Sequence, residues 1–261
     1  MIDAHVHLFH GNSGEYSIGL VDKFVESALS KGITELCLLE HTHQFIEFER
    51  MYRPVGEFSE YQRNWLSRKM KASLENYTAF IDSARDHEFP IIVRFGLEAC
   101  YIPETADILL EQLKLYNWDF VTGSVHYIKN WGFDHRAEFW QGIDVNAAYR
   151  SYYEIMLEMI GTGAFSGVGH PDSIKCFGHY PDYDLGETYE TLAGALNNAG
   201  MYAEQSGGLA LNYGASELGM NPEMLRVFKK RRVRILTASD AHEPGHAGMN
   251  IPELQRILDE G

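Results

Sequence analysis

The sequence has few cysteines, few basic residues and no long hydrophobic run, and each shortage excludes a class of protein. Its 261 residues include only three cysteines, Cys37, Cys100 and Cys176. An odd and scattered set argues against a disulfide framework and indicates free thiols in a reducing compartment. We therefore expect a cytoplasmic protein.

Positive charge is also scarce. The chain has 22 Lys and Arg residues against 37 Asp and Glu residues, which gives a formal net charge of −15. A surface this acidic repels nucleic acid, and no basic stripe offsets it. The densest basic run, residues 229–234 (KKRRVR), is interpreted as the cationic end of a helix. We therefore expect no nucleic-acid partner.

The apolar runs are too short to cross a membrane, since a spanning helix needs about 20 apolar residues. The first strand-like stretch begins almost at residue 1, so we expect no signal peptide. No Pro-, Gly- or Ser-rich linker divides the chain, and a hydrophobic content of 45% is sufficient for a large core. We predict one domain over residues 1–261 and no membrane partner, and the oligomeric state stays open.

Seven strand-like stretches recur along the chain, and six of them end in a histidine or a carboxylate. They are IDAHVH (2–7), CLLEH (37–41), RFGLE (94–98), TGSVH (122–126), GVGH (167–170), ALNYG (210–214) and LTASDAH (236–242). Only residues 210–214 lack a good metal ligand. This pattern is typical of a barrel whose strand ends assemble one site at the mouth.

Helical patterns fill the gaps between these stretches. Apolar spacing predicts helices over residues 19–31, 59–88, 104–115, 145–160, 188–206, 221–231 and 251–259. Alternation of strands and helices favours parallel strands with helices outside. We predict an α/β fold, a distorted seven-stranded β/α barrel. A doubly wound open sheet is the alternative, and it would gather ligands from fewer strands.

Two residue pairs with the same spacing indicate a metal centre. His5 and His7 are two residues apart on the first strand, so both side chains face the same side. Asp240 and His242 repeat this spacing after the last strand. If the barrel closes, the first and last strands are neighbours and the two pairs meet. Glu98 ends the third strand, and its two oxygens allow it to bridge two cations.

Three further histidines end a strand-like stretch and complete the candidate set: His41, His126 and His170. For any one histidine, a hydrogen-bonded and partly buried side chain without a metal is the simpler interpretation. For the whole set that interpretation needs many independent coincidences, so the sequence favours a metal centre.

These residues resemble the polymerase-and-histidinol-phosphatase (PHP) superfamily and, within it, the histidinol-phosphate phosphatases. The matching segments are DAHVH (3–7), LEH (39–41), GLEACYI (96–102), GSVHYI (123–128), WGFDH (131–135), GHPDSIKCFG (169–178) and ASDAH (238–242). The resemblance implies a distorted seven-stranded β/α barrel that holds two or three divalent ions, which would be zinc, manganese or iron.

The resemblance also implies a ligand set for each ion. The first ion would be held by His5, His7, Glu98 and Asp240. The second would share Glu98 with His126 and His170. The third would bind His41, His242 and, from the loop after the first strand, His10.

The activity implied is metal-dependent hydrolysis of a small phosphate monoester, most specifically L-histidinol phosphate in histidine biosynthesis. A metal-activated hydroxide would attack the phosphorus atom. The expected catalytic residues are Glu98, Asp240 and His242, and either of the last two is a candidate for protonating the leaving group.

The WGFDH segment lies near the substrate in this family. The resemblance therefore implies Trp131, Phe133, Asp134 and His135 as candidates for substrate contact, with Asp134 placed to pair with the substrate amine. His246, which follows the last strand, is a further candidate. A packed structural loop is the alternative for the whole segment.

One departure from the family leaves other activities open. Relatives carry a basic residue after the sixth strand, whereas residues 212–219 read NYGASELG. A phosphoesterase with a different monoester or diester substrate is therefore an alternative. An amidohydrolase-like enzyme is another, although neither Lys129 nor Lys175 fits the bridging lysine of that class. A non-enzymatic module would be expected to have lost ligands.

Overall fold

The computed structural model describes residues 1–8, 16–215 and 217–260. The strands in these ranges are β1 (Ile2–His7), β2 (Glu35–Leu39), β3 (Ile92–Cys100), β4 (Phe120–Ser124), β5 (Tyr127–Ile128), β6 (Trp131–Gly132), β7 (Gly167–Val168), β8 (Tyr202–Ser206) and β9 (Ile235–Ala238). The helices are α1 (Ile18–Ser30), α2 (Glu49–Phe58), α3 (Glu60–Lys69), α4 (Leu74–Arg85), α5 (Ala106–Leu113), α6 (Val145–Gly161), α7 (Gly186–Ala199), α8 (Gly208–Tyr213), α9 (Pro222–Lys230) and α10 (Ile251–Glu260).

Seven of the strands form one parallel sheet in the order β1-β2-β3-β4-β7-β8-β9. The two ends of this sheet meet: His7 N donates to Ala241 O at 2.8 Å, and Asp240 N donates to His5 O at 2.9 Å. The sheet is therefore a nearly closed barrel, as predicted, and not a doubly wound open sheet. The two short strands left over, β5 and β6, form an antiparallel hairpin.

A buried carboxylate reinforces the seam between β1 and β9. Asp3 accepts hydrogen bonds from Ser239 N at 2.8 Å, Ser239 Oγ at 2.7 Å and Gly248 N at 2.7 Å. Its side chain is fully buried. One side chain thus ties the first strand to the segment after the last one, which fixes the position of the ligand-bearing strand ends on both sides.

Several helices begin at a capping side chain and bury an apolar stripe. In α1, Ser17 caps the N-terminus by accepting from Leu20 N, and the buried residues Val21, Phe24, Val25 and Ala28 repeat at helical spacing. Asp144 and Asn221 cap α6 and α9 in the same way, and α5, α6, α9 and α10 all lie close to their predicted bounds. Within the described ranges, no helix combines the length and the apolar character that crossing a membrane requires.

The predictions for residues 188–206 and 210–214 were wrong. The helix α7 ends at Ala199 because Gly200 adopts a left-handed conformation with φ of 68°. The sixth barrel strand is β8, whereas residues 210–213 lie in α8. The sequence of β8, YAEQS, has no apolar run, although both of its polar residues Glu204 and Gln205 are buried. Glu204 contacts His5 in the barrel, whereas Gln205 accepts from Met220 N.

The long helix predicted over residues 59–88 is two helices, α3 and α4, and a further helix, α2, precedes them. Ser59 and Ser73 cap α3 and α4, so each begins at its own N-cap. These three helices all lie between β2 and β3 in the chain, and α3 contributes to the mouth of the barrel.

Candidate metal centre

The centre of the site is the carboxylate of Glu98, which lies on β3 and is 1% exposed. Five imidazole nitrogens surround its two oxygens. Oε2 lies 2.6 Å from His41 Nδ1 and 3.4 Å from both His5 Nε2 and His7 Nε2. Oε1 lies 2.8 Å from His126 Nε2 and 3.1 Å from His170 Nε2. The ends of four strands, β1, β2, β4 and β7, thus converge on a carboxylate of a fifth strand, β3.

The electrostatic environment keeps Glu98 ionised. Burial alone would raise the pKa of this carboxyl, but positive charge on His41 and His5 and hydrogen bonds from His126 and His170 hold its pKa well below the ordinary value. Both oxygens therefore remain available as anionic ligands.

The histidine pair of β1 faces the same point. His5 Nε2 and His7 Nε2 lie 3.0 Å apart, and both lie near Asp240 Oδ1, at 3.7 and 3.5 Å. Burial, together with positive charge on His41 and His242, lowers the pKa of His7 well below its ordinary value. Two imidazole nitrogens at this distance can share either a proton or a cation, and the second case is the arrangement of a metal-binding pair.

Asp240 is held in an uncommon backbone conformation. Its φ is 56°, in the left-handed region, and a Cβ on Gly208 would lie 2.2 Å from Asp240 Oδ2. Burial raises its pKa, but the hydrogen bond with His7 and positive charge on His5 and His242 bring it well below the ordinary value. His170 is also left-handed, with φ of 29°. Strained residues of this kind cluster at functional sites.

Two carboxylates behind the centre orient its histidines. Glu204 on β8 lies 3.1 and 3.0 Å from His5 Nδ1, and its Oε2 also accepts from His170 N at 3.2 Å. Asp134 Oδ2 lies 2.7 Å from His126 Nδ1. A proton on Nδ1 in each case leaves the lone pair of Nε2 facing the centre, which is how metal-binding imidazoles are usually held.

The same carboxylates create a demand for positive charge. Burial lowers the pKa of His5 and of His126. Negative charge on Glu204 and Glu98 outweighs burial at His5 and raises its pKa above the ordinary value. Asp134 and Glu98 have the same effect on the pKa of His126. Protons or metal ions can meet that demand, and metal ions compete with protons for the same nitrogens.

Three stacked rings form the outer part of the centre. The ring centroid of His7 lies 4.0 Å from that of His41 and 4.3 Å from that of His242. His242 is 42% exposed and is the outermost of the six imidazoles, with Nδ1 3.1 Å from Asp240 O. His10, the other predicted ligand of this part, lies outside the described residues.

Four groups of three residues place their ligand atoms within 4.8 Å of one another. They are His5, His7 and Asp240; His5, Glu98 and His170; His41, Glu98 and His126; and His7, His41 and His242. The structure therefore brings together every predicted ligand except His10. A set of imidazole nitrogens and carboxylate oxygens suits zinc, and also iron or manganese.

A cavity of about 680 Å³ opens above the cluster. Two of the residues predicted to contact substrate, Asp134 and His135, line it. Asp134 also bonds to His126 and so positions that histidine, and its pairing with a substrate amine stays a prediction.

The structure does not place Trp131, Phe133 or His246 on the wall of this cavity. The ring of Trp131 packs edge-on against Trp140 at 5.0 Å, and the fully buried Phe133 packs against Tyr152 at 5.5 Å. His246 lies in the turn Pro244–His246 after β9. For Trp131 and Phe133 the packed structural loop is the better interpretation.

Sequence reasoning overlooked three residues of α3 that line the cavity, Tyr61, Trp65 and Lys69. Their spacing of four residues places them on one helix face, and that spacing was the available signal. Glu204 was also missed, because residues 188–206 read as one helix.

Neither lysine considered for a bridging role lines the cavity. Lys175 is buried and pairs with Asp172 and Glu217, at 2.7 Å in each case. Lys129 has a positive φ of 49° and lies in the turn between β5 and β6. The structure thus offers no support for an amidohydrolase-like centre built on these lysines.

A parallel β/α barrel with a cluster of histidines and carboxylates at the C-terminal ends of its strands defines a class of barrel proteins with a metal-binding mouth. Residues 3–206 match the PHP domain family. The chain belongs to this family, as its sequence motifs predicted.

Similar proteins extend the match over the rest of the chain. A Deinococcus radiodurans protein named "Probable histidinol-phosphatase" is 30% identical over 274 residues, which cover 100% of this chain and 94% of that protein. The Bacillus subtilis histidinol-phosphatase is 25% identical over 94% of this chain and 95% of its own length. The crystal structure of a Lactococcus lactis histidinol phosphate phosphatase, complexed with zinc, L-histidinol and phosphate, has a TM-score of 0.73 at 19% identity and covers 99% of this chain and 92% of that one.

Proposed function

We propose that this chain is a metal-dependent phosphatase and that its substrate is L-histidinol phosphate, which it cleaves to L-histidinol and phosphate. The observation that carries the proposal is the carboxylate of Glu98, with five imidazole nitrogens within 3.4 Å. The names of the relatives from Deinococcus and Bacillus, and the ligands of the Lactococcus structure, support this substrate.

The residues present fit two ions that share Glu98. The proposed ligands are His5, His7, Glu98 and Asp240 for one ion, and Glu98, His126 and His170 for the other. The outer group would hold a third ion through His41 and His242, with His10 as the further ligand that the family resemblance implies. Zinc is the proposed metal, because the set is rich in imidazole and the Lactococcus structure contains zinc.

Divalent ions at these positions would supply a water of lowered pKa and neutralise the phosphate oxygens. The side chains of the protein hold the metal-binding atoms in position. Glu204 and Asp134 hold His5 and His126 with Nε2 toward the centre. The environment keeps the pKa of Glu98 and of Asp240 well below the ordinary value, so both carboxylates would hold bound cations in place.

The leaving alkoxide needs a proton. Asp240 is a poor donor because its pKa lies well below the ordinary value. His242 lies at the rim, where its side chain is 42% exposed, so we assign this proton to His242 in the form that holds two ions.

We further propose that residues 1–261 form one domain of this kind and that it acts in histidine biosynthesis. The three cysteines are buried and unpaired, which supports the expected reducing compartment.

Phosphate release tests the function directly. The purified protein, with its metal content measured by elemental analysis, is assayed against L-histidinol phosphate, glycerol phosphate, serine phosphate, a phosphate diester and a cyclic amide. We expect the highest kcat/KM for L-histidinol phosphate and no measurable turnover of the diester or the amide. A preference for the diester or the amide would reject the proposal, and a preference for another monoester would reject the substrate but not the chemistry.

A further inference from the structure

One face of α3 forms a wall of the cavity that the metal centre does not use. Tyr61, Trp65 and Lys69 follow one another at four-residue spacing, and all three line the cavity. The middle residue, Trp65, contacts a histidine on either side: its ring centroid lies 4.6 Å from that of His43 and 4.6 Å from that of His135. The wall is therefore aromatic at its centre.

This wall lies directly beside the candidate metal centre. The ring of His43 stacks on that of His41 at 4.4 Å, and His41 contacts Glu98. On the opposite side, His135 is the residue after Asp134, which bonds to His126. Trp65 is thus separated from the candidate ligand His41 by one ring, that of His43, and it also contacts His135, the neighbour of the residue that bonds to His126.

The wall is fastened to the barrel rather than free to move. Gln62, on the buried face of α3, donates through Nε2 to Val55 O at 2.9 Å and to Asn130 O at 2.7 Å, and its Oε1 accepts from Gly132 N at 3.1 Å. All of these bonds are buried or partly buried. They join α3 to α2 and to the β5–β6 hairpin, so the indole has a fixed position relative to His135.

We propose that Trp65 is a specificity-determining residue that binds the aromatic ring of the substrate by stacking. This proposal rests on the proposed function, because L-histidinol phosphate carries an imidazole joined to its phosphate ester by three carbons. With the phosphate at the metal centre, the imidazole meets the indole between His43 and His135. Aromatic rings at this spacing attract each other through offset or edge contacts, and a cationic imidazole adds attraction to the indole face.

The test compares ligands with and without the ring in the metal-loaded enzyme. In Trp65→Ala, we expect the KM for L-histidinol phosphate and the Ki of L-histidinol each to rise about 10-fold, with kcat within about twofold of the parent value. The Ki of inorganic phosphate, which has no ring, should stay unchanged. Trp65→Phe should restore most of the affinity, and Trp65→Leu should not.

A matched control is Asn64→Ala, an exposed neighbour on α3 that does not line the cavity, and it should leave all three constants unchanged. If the parent enzyme fails to cleave L-histidinol phosphate, the proposed function fails and Trp65 is not at issue. If the parent cleaves it but Trp65→Leu binds L-histidinol normally, or weakens L-histidinol and phosphate equally, the role of Trp65 is overturned. Thermal melting identifies a variant that does not fold, and if Trp65→Ala is such a variant, the pair Trp65→Leu and Trp65→Phe carries the comparison.

Discussion

Individual carboxylates in this protein act in two different ways around the same histidines. Glu98 and Asp240 face the centre itself, whereas Glu204 and Asp134 contact the far nitrogens of His5 and His126. The first pair provides anionic oxygens, and the second pair fixes which imidazole nitrogen points inward. Substitutions in the two groups should therefore have different consequences.

Glu98→Gln tests the carboxylate that we propose two ions share. The amide keeps the shape but loses the negative charge and one acceptor oxygen, so it can no longer serve two cations. We expect kcat to fall by about 1,000-fold and the bound metal per chain to decrease. Phosphate release in metal-defined buffer and elemental analysis measure the two effects. Glu104→Gln, on the exposed surface after β3, is the control and should change neither. Unchanged turnover in Glu98→Gln would contradict the bridging role.

Glu204→Gln tests the orienting group. Its oxygens lie 3.1 and 3.0 Å from His5 Nδ1, and loss of the charge weakens the hold on the tautomer of His5. We expect zinc affinity to fall by about 10- to 100-fold while the barrel remains folded. Competition with a chelating dye measures the affinity. Glu187→Gln on the exposed face of α7 is the control, and equal affinities for the two variants would argue against a role for Glu204.

At the scale of helices and strands, residues with a clear local signal were predicted correctly and β8 was not. The strands β1, β3 and β9 have apolar runs that end in ligands, and caps such as Ser17 mark the helices. The polar sequence of β8 has no such run, because barrel closure rather than local preference buries Glu204 and Gln205. The spacing of histidines and carboxylates along the sequence likewise predicted that the ligands lie at strand ends. Which aromatic side chains line the cavity depends on packing between distant segments, and a local sequence pattern does not reveal it.

Closure of the barrel depends on the seam between β1 and β9, and Asp3→Asn tests it. Asp3 accepts from two backbone N–H groups and one hydroxyl, and in the variant an amide NH₂ would face one of those donors. We expect the free energy of unfolding to fall by about 2 kcal/mol, measured by urea denaturation. Asp107→Asn on the exposed face of α5 should change it by less than about 0.5 kcal/mol. Equal stabilities of the two variants would show that the seam does not need the carboxylate.

For the molecule as a whole, the candidate centre is a convergence of segments that lie far apart in the chain. The N-terminal strand and the segment after β9 meet at His5 and Asp240, and Glu98 of β3 lies 3.4 Å from His5. The chain has a formal net charge of −15, but the buried carboxylates at this site contact imidazoles and not solvent. A cation bound at the centre would hold together strand ends that otherwise carry like charges or facing lone pairs.

Metal binding should therefore stabilise the entire fold, because the assembled site exists only in the native protein. A free zinc concentration about 100-fold above Kd contributes about 2.7 kcal/mol, and for a chain of this size that raises Tm by roughly 5 °C or more. We expect dialysis against a chelator to lower Tm by this amount and added zinc to restore it in a concentration-dependent way, measured by circular dichroism or calorimetry.

Glu98→Gln, which lacks the carboxylate proposed to be shared, should show a smaller shift on the same titration, whereas Glu104→Gln should respond as the parent does. A Tm that is insensitive to chelation and to zinc in the parent protein would mean that the cluster does not hold metal in the native fold, because a ligand that binds only the native state must raise the unfolding temperature.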